Sequence, residues 1–291
     1  MHMGCAGVAV IVTGKDWEGM GRFEVMGQVI GRDRLFLIAG PCVIESEELA
    51  LRIGRSVKTL CAELQIPYIF KSSYDKANRT SIRSYRGPGI ARGLEILASV
   101  REQVGVPVLT DVHSVPEAIR AAESVDILQI PAFMARQTDL LLAAGKTMKP
   151  VNVKKAQFLA PWEMGQVVEK IRSTGNDRIL LTERGTQFGY NNLVVDMRCF
   201  AVMAELGCPM VFDATHSVQL PGSQGSCSGG QRQYVPNLMY AAVAAGADGV
   251  FLEVHENPDE ALCDGPNSLP LTQLPELLSK LVRVYRAVRQ G

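Results

Sequence analysis

The chain predicts an α/β protein of the TIM, or (β/α)8, barrel class, and three observations predict it. Eight short, mainly apolar runs alternate with segments of helical period, the pattern of parallel strands buried on both faces and joined by helical crossovers. Polar or charged residues stand at or just past the end of each run, where a barrel gathers its catalytic groups. The length of 291 residues, with no linker, low-complexity tract or short-period repeat, suits one barrel of about 250 residues. A doubly wound open sheet is the alternative, but no glycine-rich dinucleotide fingerprint follows the first run.

Residues 1–25 sustain neither a helical nor a strand period, and Gly4, Gly7, Gly14, Gly19 and Gly21 crowd them. They are read as an uncertain N-terminal extension, with Met26 an alternative initiator and residues 26–291 a single catalytic domain. From Gly27 the order becomes regular. The expected strands are Leu35–Ala39, Tyr68–Lys71, Val106–Asp111, Ile127–Ile130, Val151–Lys154, Ile179–Glu183, Met210–Asp213 and Gly249–Glu253. The helical patterns between and after them are Ser46–Leu64, Gly89–Val104, Val115–Ala122, Thr138–Ala144, Met164–Ser173, Asn192–Leu206, Val235–Ala245 and Leu274–Arg289.

Composition narrows the function. Hydrophobic residues at 47% supply a core, and 30 basic against 30 acidic residues cancel, so nothing global points to nucleic acid or a membrane surface. No apolar run approaches the roughly 20 residues of a membrane span. Cys5–Val12 is apolar but lacks the basic flank and cleavage site of a signal peptide. Seven cysteines at irregular spacing argue against a disulfide framework and for a reducing cytoplasm. Asn78-Arg-Thr80 is accordingly not read as a glycosylation site.

Any cationic site must be local, and Lys71–Gly89 is the candidate. It carries Lys71, Lys76, Arg79, Arg83 and Arg86 against one acid, Asp75. Ser72, Ser73, Asn78, Thr80, Ser81 and Ser84 intersperse short hydrogen-bonding side chains among them. Guanidinium forks with hydroxyls and amides suit phosphate oxygens, although composition alone equally allows a solvated basic loop.

The strand ends add Cys42, Asp111, Gln129, Lys154, Arg184, His216 and Glu253. Two chemistries can be read from this rim. Lys76, Arg79, Lys154 and Arg184 could hold two phosphate or carboxylate groups, with Lys155 pointing the other way on an extended strand. Arg136, opening a helix after the fourth strand, adds a cation or is an exposed helix-start residue. Alternatively or additionally, Cys42, His216, Glu253 and Asp264 offer a thiolate, an imidazole and two carboxylates, a mixed set suited to Zn2+, Fe2+, Mn2+ or Co2+ rather than Mg2+ or Ca2+. No short-range ligand motif supports the metal, and His113 and His255 compete as ligands.

Several motifs carry a resemblance. Ile38-Ala-Gly-Pro-Cys-Val-Ile-Glu-Ser46, Phe70-Lys-Ser-Ser-Tyr-Asp-Lys-Ala-Asn-Arg79, Gln129-Ile-Pro-Ala-Phe133, Asn152-Val-Lys-Lys155, Gln157-Phe158, Glu183-Arg-Gly185, Phe188-Gly-Tyr-Asn-Asn-Leu-Val-Val-Asp196 and Asp213-Ala-Thr-His216 occur in order over about residues 30–290. Together they resemble the 3-deoxy-D-manno-octulosonate 8-phosphate synthases. The resemblance implies a transferase on a (β/α)8 barrel that condenses phosphoenolpyruvate with D-arabinose 5-phosphate and releases inorganic phosphate. It also implies a cytoplasmic homotetramer serving lipopolysaccharide inner-core synthesis. The neighbouring enzymes that use erythrose 4-phosphate resemble it less: they carry Lys-Pro-Arg where this chain has Lys76-Ala-Asn-Arg79.

By the same resemblance, Lys71, Lys76, Lys154 and Arg184 hold phosphoenolpyruvate, and Asn78, Arg79, Thr80 and Ser81 hold the sugar phosphate. Arg136 reaches into a neighbouring subunit, and Asp111 and Gln129 line the pocket. Catalytic duty falls to Cys42, Lys76, His216 and Asp264. Cysteine at position 42 marks the metal-requiring branch, with His216, Glu253 and Asp264 as the remaining ligands. Cys263-Asp-Gly-Pro266, by contrast, looks like the metal-independent pattern. Two other classes stay open on the residues alone: a sugar-phosphate-binding barrel without turnover, and an aldolase using Lys154 or Lys71 as a Schiff base.

Overall fold

The computed structural model describes residues 21–221 and 229–289. Eight parallel strands close into a barrel: β1 Phe36–Gly40, β2 Tyr68–Lys71, β3 Val108–Asp111, β4 Ile127–Ile130, β5 Val151–Lys154, β6 Ile179–Glu183, β7 Met210–Asp213 and β8 Gly249–His255. Each pairs with its neighbour in sequence, and β8 closes on β1 with Gly249 opposite Phe36. The helices are α1 Glu47–Leu64, α2 Ile90–Val104, α3 Val115–Ala121, α4 Thr138–Lys146, α5 Met164–Arg172, α6 Arg198–Ala204, α7 Val235–Ala244 and α8 Leu274–Arg289. The predicted barrel is therefore the observed one.

Local chemistry sets the helix ends. The Ser46 hydroxyl accepts from the Leu49 amide at α1, with Glu47 and Glu48 in the first turn, favourable against the positive end of the helix dipole. Ser114 does the same for α3. Gly105, left-handed at φ 69°, ends α2.

Apolar side chains sort into an outer and an inner core. The outer one packs helices against the barrel, as with Val57, Leu97, Leu141 and Leu278. The inner one fills the lumen with Phe36, Ile38, Ile69, Leu109, Ile127, Leu180, Val211 and Phe251. Phe23, Val25 and Ile30 join this lumen cluster. They come from an antiparallel hairpin, Phe23–Val25 with Gln28–Ile30, packed against the lumen side chains. Its two-residue turn, Met26-Gly27, has φ 47° and 73°, the positive values that match the twist of paired strands. This hairpin straddles the boundary placed at residue 26; residues 1–20 of the expected extension lie outside the described residues.

One predicted element is corrected. The helix expected over Asn192–Leu206 begins only at Arg198. Ahead of it, Thr186–Gln187 pairs antiparallel with Leu193–Val194, turned by Gly189 and Asn191 at φ 72° and 55°. A glycine and an asparagine tolerating left-handed backbone won over the apolar spacing of Leu193 and Val194.

Gly40 ends β1 where the backbone of β2 passes close beside it. A Cβ there would lie 2.0 Å from the Lys71 carbonyl oxygen, so any side chain parts β1 from β2. Gly40→Ala is expected to cost about 1–3 kcal/mol or more, read as a lower urea midpoint. An unchanged midpoint would show that the wall yields freely.

Candidate active site

The C-terminal strand ends open into a cavity of about 450 Å3. Lys71, Lys76, Arg79, Lys154 and Arg184 line it as cations, against Asp111 and Asp264 as carboxylates. Asp213 and Glu253 are fully buried. Alternation along a strand explains the selection. Lys154 faces the cavity, whereas the next residue, Lys155, turns outward to the Leu159 carbonyl and to Glu183.

On the cationic side, Lys154 Nζ donates to Asp213 at 2.5 Å and sits 3.8 Å from the centre of the Phe251 ring. Burial lowers its pKa, and Asp213 only partly offsets this. Lys71 Nζ donates to the Cys42 carbonyl and the Ser73 hydroxyl. It also lies 3.6 Å from Glu253. Arg184 is buried: Nη2 donates to Gln219, while Nη1 has no partner among the described residues. A buried guanidinium with an unspent donor in a cavity wall is a receptor for an anion.

On the acidic side, His216 Nδ1 lies 2.8 Å from Asp213, and Nε2 lies 3.5 Å from Glu253 and 3.6 Å from Asp264. Asp213 therefore orients the ring so that Nε2 addresses the other two acids. Burial by itself would raise the pKa of Glu253, yet His216, Lys76, Lys71 and Lys154 outweigh it and bring it down to about 2. Both Glu253 oxygens are buried and accept no hydrogen bond from a described residue. His216, Glu253 and Asp264 each place a ligand atom within 4.8 Å of the others, and so do Cys42, Cys263 and Asp264. Orphaned carboxylate oxygens beside an oriented imidazole fit a divalent cation.

Along one wall of the cavity a hydrogen-bonded chain ties the β2–α2 loop to the β3–α3 connection. Ser73 donates to Asp111 at 2.5 Å, and Asp111 meets His113 Nε2 at 3.0 Å. His113 Nδ1 meets Glu117 at 3.0 Å, which also accepts from the Tyr74 hydroxyl. Gln129 accepts from Asn152, and Asn152 from Thr182, across β4, β5 and β6.

The structure gathers most of the expected residues around this space. Asn78 and Thr80 line the cavity, as does Gln129. Cys42 is buried at its edge with its sulfur 2.8 Å from that of Cys263. Ser81 and Arg136 are not brought in. The Ser81 hydroxyl caps its own turn by accepting from Arg83 N, and Arg136 is exposed outside the cavity lining. Of the competing histidines, His113 belongs to the Asp111–Glu117 chain, and His255 lies beside Glu45 at 3.5 Å. Asp213, Gln219 and Asn152 were not read as site residues, and Ser73 only as one hydroxyl of the basic segment. Asp213 had a visible signal, the polar end of its strand, and Asn152 opens one of the motifs quoted above.

The site is thus that of a (β/α)8-barrel enzyme, a cation-lined cavity beside an imidazole–carboxylate set, and the sequence comparisons give its family. The DAHP synthetase I family profile matches residues 13–290, and the chain belongs to that family. Within it, the chain is 66% identical over 270 residues to a 2-dehydro-3-deoxyphosphooctonate aldolase of Syntrophobacter fumaroxidans, covering 93% of this chain and 94% of that one. Proteins of the same description from Trichlorobacter lovleyi and Pelobacter propionicus are 62% and 60% identical, covering 88% and 93% of this chain and 94% and 100% of theirs. No helix among the described residues is long and apolar enough to cross a membrane.

The Asp111–His113–Glu117 chain has a pH signature. Burial opposes the His113 charge, but Asp111 and Glu117 raise its pKa above 6.5. Its stabilising share is present below the unfolded value and is lost as pH rises through the folded one. Asp111 and Glu117, against burial, are held low by His113 and Tyr74 and by Lys71 and Lys76. Their share is present above the unfolded values and is lost on acidification. The melting temperature of His113→Asn should therefore fall less than that of the wild type as pH climbs past 6.5. Parallel curves would remove His113 from this linkage.

Proposed function

We propose that the protein condenses phosphoenolpyruvate with D-arabinose 5-phosphate and water, giving 3-deoxy-D-manno-octulosonate 8-phosphate and inorganic phosphate. The observation that carries this reading is the division of one cavity. Five cations, one of them a buried arginine with a spare donor, stand beside an imidazole–carboxylate set. Two anionic reactants and one proton-transfer centre need that arrangement.

C3 of the enol phosphate attacks the aldehyde carbon and forms the new carbon–carbon bond, while water adds at C2. The hemiketal phosphate then loses inorganic phosphate by carbon–oxygen cleavage. Arg184 and Lys154, with Lys71 and Lys76, fix the carboxylate and phosphate of phosphoenolpyruvate. Asn78, Arg79 and Thr80 face the sugar. Holding both reactants in attack geometry replaces a bimolecular encounter by a positioned one. Lys154, its pKa lowered by burial, donates a hydrogen bond to Asp213 beside the site proposed for the departing phosphate.

Cys42, His216, Glu253 and Asp264 would hold a divalent ion, Zn2+, Fe2+, Mn2+ or Co2+. Such an ion supplies Lewis acidity toward a carbonyl or water oxygen. Arg136, exposed outside its own cavity, is assigned to the sugar phosphate of a neighbouring subunit in a cytoplasmic homotetramer. The product's place is lipopolysaccharide inner-core synthesis. Lys154 pairs with Asp213 rather than standing free, which favours a positioning cation over a Schiff base.

The decisive assay is consumption of phosphoenolpyruvate with arabinose 5-phosphate against erythrose 4-phosphate. Preference for the four-carbon sugar would move the chain to the neighbouring activity. Arg184→Ala should lower kcat/KM by about 100- to 1,000-fold, the scale of one lost transition-state donor. Asn78→Ala should raise KM for the sugar more than for phosphoenolpyruvate; equal effects would misplace the sugar pocket. Chelation should abolish turnover, with Mn2+, Co2+ or Zn2+ restoring it. Turnover indifferent to chelation would keep the condensation and discard the metal.

A further inference from the structure

We propose that Cys263 is a metal ligand, so that the divalent site of this protein contains two thiolates rather than one. This rests on the metal reading above and extends it to a residue that reading leaves out. Cys42 and Cys263 come from opposite sides of the barrel seam, the first from the β1–α1 loop and the second from the loop between β8 and α8. Their sulfurs are nevertheless 2.8 Å apart. They share a small buried cluster with Val43, and Tyr85 packs on it.

Asp264 is what makes this pair a ligand set. Its carboxylate completes one triad with the two sulfurs and another with His216 and Glu253, and within each triad the ligand atoms lie within 4.8 Å of one another. Four donors, two sulfurs, an imidazole and a carboxylate, therefore flank the Asp264 carboxylate. Neighbouring side chains on extended backbone would point to opposite sides, but Asp264 has a φ of 49°. That left-handed kink lets Cys263 and Asp264 serve the same space.

The kink is fixed. Asn267 and Ser268 amides donate to the Asp264 carbonyl. Gly265 follows so closely that a Cβ would lie 2.3 Å from the Pro258 carbonyl oxygen. A loop this constrained presents the second thiol by construction. Two thiolates with imidazole and carboxylate favour a thiophilic ion, Zn2+ or Co2+, over Mn2+.

The test uses Co2+ as the probe on the full-length, metal-stripped protein, reading the near-ultraviolet thiolate-to-cobalt charge-transfer band. At saturation, Cys263→Ser and Cys42→Ser should each retain about half the wild-type intensity, and the double variant none. Cys263→Ala, whose circular dichroism is compared with the wild type, separates loss of a ligand from loss of fold. Full intensity in both folded Cys263 variants would overturn the dithiolate and leave the Cys42 site intact. A wild-type protein that takes up no Co2+ would overturn the metal reading itself, and this inference with it.

Discussion

A fully buried carboxylate, Glu253, governs the arrangement of this site. An ionised group without hydrogen-bond partners in a protein interior is expensive unless opposite charge surrounds it. Here Lys71, Lys76 and His216 lie 3.5–3.6 Å away. The dependence is mutual, because two of these lysines are themselves buried or nearly so and need an anion. Removing Glu253 would leave Lys71 with the more distant Asp111, at 3.9 Å. The layout of cations around the cavity thus follows from charge compensation beneath it, and the cavity wall keeps five lysines and arginines against two carboxylates.

The barrel supplies this compensation through its alternation. Strand residues one apart face the lumen or the helices, so Lys154 joins the site while Lys155 is spent on Glu183 and the Leu159 carbonyl. Phe251 stacks beneath two of the ammonium groups, at 3.8 and 5.5 Å. It offers the negative face of its ring, a partial substitute for water around charges that have left it.

Much of this was legible in the sequence because it is local. Ile127–Ile130, Val151–Lys154, Ile179–Glu183 and Met210–Asp213 stand where expected. Strands buried on both faces are written as continuous apolar runs, and turns bound them sharply. The lumen hairpin was not legible: Phe23, Val25 and Ile30 alternate for only a few residues, and glycines around them mask the period. The Ser73–Asp111–His113–Glu117 chain was invisible for a different reason. Asp111, His113 and Glu117 run from a strand end into a helix start, where no single period applies, and Ser73 joins them from 38 residues away. Ser81 shows the converse, since a hydroxyl well placed in a motif turned back to its own backbone.

The hydrogen bonds between β8 and β1 carry a consequence for how the chain matures. Cys42 lies just past one edge of that seam, and Glu253 and Asp264 lie at or past the other. Half the barrel therefore holds no complete site, however well formed its strands. Occupancy by a ligand reaching both edges favours the joined state over any opened one by mass action. Binding and closure are thereby coupled, and whatever is held across the seam also raises the temperature needed to open it.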